Sequence, residues 1–179
     1  MRILIQRVLS ANVSVDNSLV GAIQRGMLLL VGFTQTDNPE IIKRFADKIL
    51  KLRIWDSLDG KSRWHTNVAQ NKFEILVVSQ FTLYHILKGN KPDFHKALEN
   101  EKALAFYEMF VEILKQRYMK EKIQIGAFGK YMNVSMVGDG PVTITMDSGK
   151  DQPSNEEESN IEKEEKNVKD NEEIKEITK

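Results

Sequence analysis

Two stretches, MLLLVGF at 27–33 and the start of FEILVVSQFTLY at 73–84, place apolar side chains at consecutive positions. A strand with no polar face must be covered on both sides. Both therefore read as central strands of one sheet, and the rest of the chain has to supply the layers that cover it. Around them the pattern changes. Ile3, Ile5 and Val8 fall between polar residues, NVSVDN alternates with period two and runs into a turn at Asp16-Asn17, and LVGAIQRG supplies a hairpin partner. Asp37-Asn38 followed by Pro39 and Glu40 is a helix start, and Ile41, Phe45, Ile49 and Leu52 mark one helical face. The segment DSLDGKSRWHTNVAQN reads as loop. A second helical pattern runs from about Asp93 to Tyr118, with Leu98, Phe106, Met109, Phe110, Ile113 and Leu114 as its buried stripe. IQIGAFGKYMNVSMVGDGPVTITMD then supplies two or three strands. The expected fold is α/β: a single domain with a mixed, largely antiparallel sheet, barrel-like, and two main helices packed against it.

The chain has 179 residues, no cysteine and a formal charge of zero. Without cysteine there is no thiol nucleophile, disulfide framework or thiolate metal site, and a reducing compartment is expected. No apolar run reaches the 18 residues of a membrane span, and MRILIQRV is too short and too often interrupted by charge to be a signal peptide. The expected location is cytoplasmic. The zero charge conceals a division. Residues 151–179 hold 11 acidic against 5 basic residues, leaving 15 acidic and 21 basic in 1–150. A body with this basic excess can attract nucleic acid. The boundary is set at 149: residues 1–149 form the domain, and 150–179 are an acidic, disordered tail.

Nothing in the chain matches a nucleophile elbow, a P-loop or a dinucleotide fingerprint. His65, His85 and His95 lack metal-ligand spacing and read as surface or structural residues. Asp56, Asp59 and Asp139 read as turn residues. No metal and no cofactor is expected. Two segments stand out. Ser79, Gln80 and Thr82 end a buried strand, where α/β sheets tend to bind ligands. In VGDGPVT, Pro141 stands where a strand should be pairing, although proline cannot donate to a ladder. A tight turn would account for it. So would a backbone that faces something fitted against it.

IQRV at 5–8, SQFTLY at 79–84, KGNKPDF at 88–94, IGAFGKYMNV at 125–134 and DGPVT at 139–143, in this order and spacing, resemble the D-aminoacyl-tRNA deacylases, formerly D-tyrosyl-tRNA deacylases. The resemblance covers about residues 1–148. Gly138 departs from it, since the family carries Asn there, and the tail lies outside it. The resemblance implies a homodimer with composite active sites that cleaves the ester of D-aminoacyl-tRNA, and of mischarged glycyl-tRNA, at the aminoacylated 3′ end. It implies a cis Gly140-Pro141 bond whose carbonyls enter the partner's pocket, admit the α-hydrogen of a D-residue and exclude an L side chain. Backbone N–H groups of Phe81 and Thr82 would hold the oxyanion, and the 2′-hydroxyl of the terminal adenosine would help activate water. Ser79 and Gln80 would bind or brace the substrate, Phe128 and Met132 would line the adenine side, and Arg7 would brace the Gly-Pro loop. Thr82 as a nucleophile lacks a recognisable base. Two other classes share these residues: a non-catalytic nucleic-acid-binding protein on the same fold, and an esterase for small aminoacyl esters.

Overall fold

The computed structural model describes residues 1–150, and the expectation of disorder in the tail lies outside them. The two apolar runs form β3 (Gly26–Gly32) and β4 (Glu74–Ser79), paired in parallel. β1 (Arg2–Val15) lies antiparallel to β3, β2 (Ser18–Ile23) pairs back on the second half of β1, and β7 (Ile123–Ile125) adds in parallel beyond β4. The last strand, β8 (Asn133–Asp147), runs antiparallel along almost the full length of β1. The six-stranded sheet thus has the order β2-β1-β3-β4-β7, with β8 on the free side of β1. It curls until its ends meet: a Cβ on Gly21 of β2 would lie 2.5 Å from the Ile125 carbonyl of β7. The mixed, barrel-like sheet expected from sequence is present.

Both faces of the central strands are buried, as uninterrupted apolar runs require. Met27, Leu29, Val31, Ile75 and Val77 point into one core with α1 (Pro39–Lys51) and α3 (Asn100–Arg117). Leu28, Leu76 and Val78 point into a second core with Val8, Ala11, Val13 and Ile23. Each fully buried side chain of this size contributes about 1.5–3 kcal/mol, so the alternation along β3 and β4 fixes their register. The α1 start is as expected: Asn38 caps it, its side chain accepting the Ile41 N–H at 2.9 Å, and Pro39 opens the first turn. The buried face of α1 centres on Ile42, Phe45, Ala46 and Ile49, with Ile41 and Leu52 at its margin. Likewise Phe110, Ile113 and Leu114 of α3 are buried, while Leu98, Phe106 and Met109 pack at the edge.

Four local features differ from the sequence reading. The two segments read as separate strands at the start are one, β1. The loop at 56–71 contains a single helical turn, α2 (Val68–Asn71), closed by a capping box between Asn67 and Gln70, beside the two main helices that were expected. The second long helix begins at Asn100, because Ile86–Lys88 (β5) and Lys91–Asp93 (β6) form a small hairpin ahead of it. The strand in SQFTLY stops at Ser79, and Phe81–Tyr84 coil into a 3₁₀ turn.

Candidate active site

The chain turns at Ser79-Gln80 because of a residue on the neighbouring strand. The Gln80 N–H donates to the Val31 carbonyl at 2.7 Å, the last bond of the β3–β4 ladder. The next residue of β3 is Gly32, where a Cβ would lie 2.8 Å from the Gln80 carbonyl and 3.3 Å from Leu83. Only a missing side chain lets the 81–84 turn fold over the end of β3. Arg2 locks it from the other side: its guanidinium donates to the Leu83 carbonyl at 2.9 Å, pairs with Asp147 at 2.8 Å and sits over the Tyr84 ring. Burial pushes the Tyr84 phenol far above its ordinary value, so this ring remains neutral.

Between this turn and the loop entering α3 lies a cleft of about 220 Å³, lined by Gly32, Phe33, Ser79, Gln80, Phe81, Leu98 and Phe128 among others. The structure therefore brings together four of the residues singled out in the sequence, Ser79, Gln80, Phe81 and Phe128. Thr82 adjoins them. The first N–H groups of a helical turn have no acceptor within it, and no side chain caps this one. The N–H groups of Phe81 and Thr82 thus begin an uncapped turn at the cleft edge. The Thr82 hydroxyl accepts from the Gln80 side-chain amide, which cannot serve as a base. His85 is close, but its Nδ1 bonds to the Thr82 carbonyl at 2.9 Å, not to the hydroxyl. No nucleophile–base pair forms here.

Sequence reasoning missed the support beneath Phe128. Tyr107 of α3 packs its ring 5.5 Å from that of Phe128 and donates its hydroxyl to the Val77 carbonyl at 2.8 Å. Burial raises the phenol well above the ordinary tyrosine value, keeping the donor protonated. Phe81, 58% exposed, meets Phe94 edge-on at 5.1 Å, which ties the cleft to the β5–β6 hairpin. Met132 lies elsewhere. It packs beneath Gly126, where a Cβ would come within 3.0 Å of its sulfur, and joins the core of Val8 and Val78.

Gly140 and Pro141 are not in this cleft. Along β1, Gln6 pairs with Thr143 and Val8 with Gly138, so Arg7 alone stands opposite the four residues 139–142. The Gly-Pro segment is therefore a bulge thrown out of one continuous strand, not a hairpin turn between two. Its Gly140-Pro141 bond is cis. Gly140 has φ +125°, which side chains rarely adopt, and a Cβ there would meet Val142 at 2.9 Å. Arg7, 15% exposed, fastens the bulge to the body: it donates to the Asp139 carbonyl at 3.1 Å and to the Ile54 carbonyl at 2.5 Å. The Asp139 carboxylate lies 3.4 Å from both Arg7 and Arg25. Gly138 itself is exposed, with nothing within 4 Å of an added Cβ.

Arg2 of β1 pairs with Gly32 at the cleft, and Arg7 stands opposite the bulge. The five residue steps from Arg2 to Arg7 span about 17 Å at strand rise. A chain's own bulge thus sits at the far end of the β1–β3 ladder from its own cleft. Among the described residues no group of three or more acidic, histidine or cysteine side chains could hold a metal, and no helix is long and apolar enough to cross a membrane.

A family model described as D-Tyr-tRNA(Tyr) deacylase matches residues 4–147. A Leishmania major protein named D-aminoacyl-tRNA deacylase 1 is 43% identical over 150 residues, spanning 84% of this chain and 99% of its own. The human D-aminoacyl-tRNA deacylase 1 is 44% identical over 148 residues, 83% of this chain and 70% of its own. A solved structure described as c-Myc DNA Unwinding Element Binding Protein superposes with a TM-score of 0.79 at 42% identity, covering 86% of this chain and all of that one. Another, of a probable eukaryotic D-amino acid tRNA deacylase, has the same fold with a TM-score of 0.70 at 17% identity, covering 81% and 97% of the two chains.

Proposed function

The chain belongs to the D-Tyr-tRNA(Tyr) deacylase family, and on that premise we propose that it hydrolyses the ester joining a D-amino acid, or glycine, to the 3′ end of tRNA. The products are free amino acid and tRNA. One observation carries the reading: an uncapped turn presents main-chain N–H groups at a cleft that contains no nucleophile–base pair. An aminoacyl ester is already activated. Positioning, a water molecule and stabilisation of the oxyanion suffice for its hydrolysis. Water adds to the ester carbonyl, the N–H groups of Phe81 and Thr82 hold the tetrahedral oxyanion, and the C–O bond to the ribose breaks. The 3′-oxygen leaves with a proton, and the neighbouring 2′-hydroxyl assists the water. Ser79 and Gln80 shape the cleft floor, and Phe128 offers a face to the terminal adenine.

Chirality is read by the bulge. With ammonium and carbonyl held, inverting the α-carbon exchanges hydrogen for side chain, and rigid carbonyls of Gly140 and Pro141 leave room only for hydrogen. The separation along β1 of Arg2 at the cleft from Arg7 at the bulge, about 17 Å at strand rise, supports a wall supplied by a second copy, in a homodimer with two composite sites. The exposed apolar residues Val134, Met136 and Val137 on the outer strand β8 suit such a contact. Incubation with D-aminoacyl-tRNA, L-aminoacyl-tRNA and a free D-amino acid ester tests the activity, and light scattering tests the assembly. Hydrolysis of the D-aminoacyl-tRNA alone, by a dimer, is expected. Equal cleavage of all three, or full activity of a monomer, would overturn the reading. A relative described as a DNA-binding protein favours a second one, a nucleic-acid-binding protein without catalysis. Binding without turnover of any ester would select it.

A further inference from the structure

Beside the bulge is a second concavity, of about 570 Å³, which the cleft chemistry does not use. Its floor is aromatic: Trp55 and Phe73 meet edge-on at 5.3 Å. Its polar groups are mainly donors. Arg25 lies over the Phe73 ring at 5.1 Å and is 53% exposed at its side chain. Lys72, the left-handed residue that ends α2, is exposed and in no ion pair among the described residues. The Gln70 side-chain oxygen accepts the Asn67 N–H, which leaves its amide group as a donor on an exposed side chain. Trp55 is only 3% exposed, yet its indole N–H has no acceptor among the described residues. On the acidic side, Asp139 is already engaged by Arg7 and Arg25, leaving Asp56 at the rim. The balance favours an anionic, acceptor-rich ligand with a flat face to stack.

We propose that this concavity binds the phosphodiester backbone of the tRNA 3′ strand, with Arg25 and Lys72 each on a phosphate. The proposal rests on the reading that two copies share each site. Arg7 and Asp139 belong both to the concavity and to the anchorage of the bulge. When the bulge enters a partner's cleft, the concavity is carried to the mouth of that cleft. There the strand leaving the terminal adenosine must pass. One copy thus holds the aminoacyl-adenosine while the other holds the nucleotides that precede it.

The test is equilibrium binding of uncharged tRNA to the full chain across a range of salt concentrations. Each phosphate contact contributes about 0.7–0.9 to the slope of log affinity against log salt. The double variant Arg25→Gln/Lys72→Gln should therefore lower the slope by about 1.4–1.8 and weaken binding several-fold at low salt. Removing two charges from the exposed face of α1, with Lys43→Gln/Lys48→Gln, should leave the slope unchanged. A second readout is hydrolysis of a D-aminoacyl ester of adenosine, which lacks the preceding nucleotides. It should be unaffected by Lys72→Gln alone, which leaves the Arg25–Asp139 pair of the bulge in place, while hydrolysis of D-aminoacyl-tRNA slows. An unchanged slope overturns the proposal, and so does an equal change in the α1 variant. Loss of the dimer with unaltered tRNA binding would also overturn it and make the concavity a contact between copies. Failure of the wild type to cleave D-aminoacyl-tRNA would remove the functional reading, while the slope would still decide the site.

Discussion

The cleft and the Gly-Pro bulge are held in opposite ways. The cleft edge is built into the core: β3 and β4 are buried on both faces, Gly32 and Gln80 touch through main chain, and Tyr107 braces Phe128 from α3. The bulge stands out from the sheet, with Gly140 and Pro141 exposed and Arg7 as its principal fastening. One region cannot be altered without disturbing the fold. The other can be altered with little effect on it. Stability and activity should therefore separate between them, and mutations at the two places can break or sharpen that contrast.

The largest effects come from a pair. Gly32→Val forces a side chain against the Gln80 carbonyl, an overpacking that costs about 1–3 kcal/mol. It should lower Tm by several degrees and single-turnover deacylation by about 100-fold, as expected for a displaced catalytic group. Pro141→Gly should reduce deacylation to a similar extent, about 100-fold, while changing stability by no more than about 1 kcal/mol, the effect of freeing one proline. Equal losses of Tm in the two variants would erase the contrast. Next comes Arg7→Lys. One guanidinium reaches the Asp139 and Ile54 carbonyls together, whereas an ammonium is a point charge without that fork. Activity should drop about 10-fold, with charge and fold retained. An unaffected rate would mean that the bulge holds itself.

Thr82→Ala should change the rate by less than about 3-fold, within what loss of one neutral hydrogen bond allows, since the main-chain N–H stays in place. A folded but inactive Thr82→Ala would make the hydroxyl the reacting group. The smallest effect lies on neither region. Burial of Glu74 at the start of β4 would raise its carboxyl, but hydrogen bonds from the Gln24 N–H at 2.6 Å and Lys122 at 3.0 Å outweigh it, and the pKa lies below the ordinary value. A depressed carboxyl stabilises the fold above its unfolded pKa, near 4.3. That contribution is lost as pH falls through the lower folded value. Denaturant titrations should show Glu74→Gln less stable by about 0.5 kcal/mol at pH 7 and equal to wild type in strong acid, with deacylation at pH 7 unaltered.

The same contrast governs what could be read from the sequence. Strands β3 and β4, the cap at Asn38-Pro39 and the polar strand end at Ser79-Gln80 were legible because local pattern determines them. The 3₁₀ turn was not. Phe81, Thr82 and Tyr84 all favour strands, and the turn forms only because Gly32, distant in sequence, lacks a side chain. A lone glycine inside an apolar strand was the available signal. Residues 132–146 read as two strands around a turn, because Gly-Pro is turn chemistry. The bulge appears only once both halves are paired with β1. Met132 was grouped with Phe128 through the family resemblance, and it packs against the second core just ahead of β8. Tyr107 gave no sign beyond a helical aromatic.

The pairing of β1 with β8 also imposes an order of events on the ribosome. Arg2 emerges early, and its partner Asp147 follows 145 residues later, a delay of roughly 7–30 s at ordinary rates of synthesis. Throughout that interval one flank of β1, with Ile3 and Ile5 along it, has no strand to lie against. The last strand to arrive both seals that flank and carries the Gly-Pro segment outward. A nascent chain can thus possess the cleft before its sheet is complete. Closure of the sheet and outward display of the Gly-Pro bulge occur in the same step.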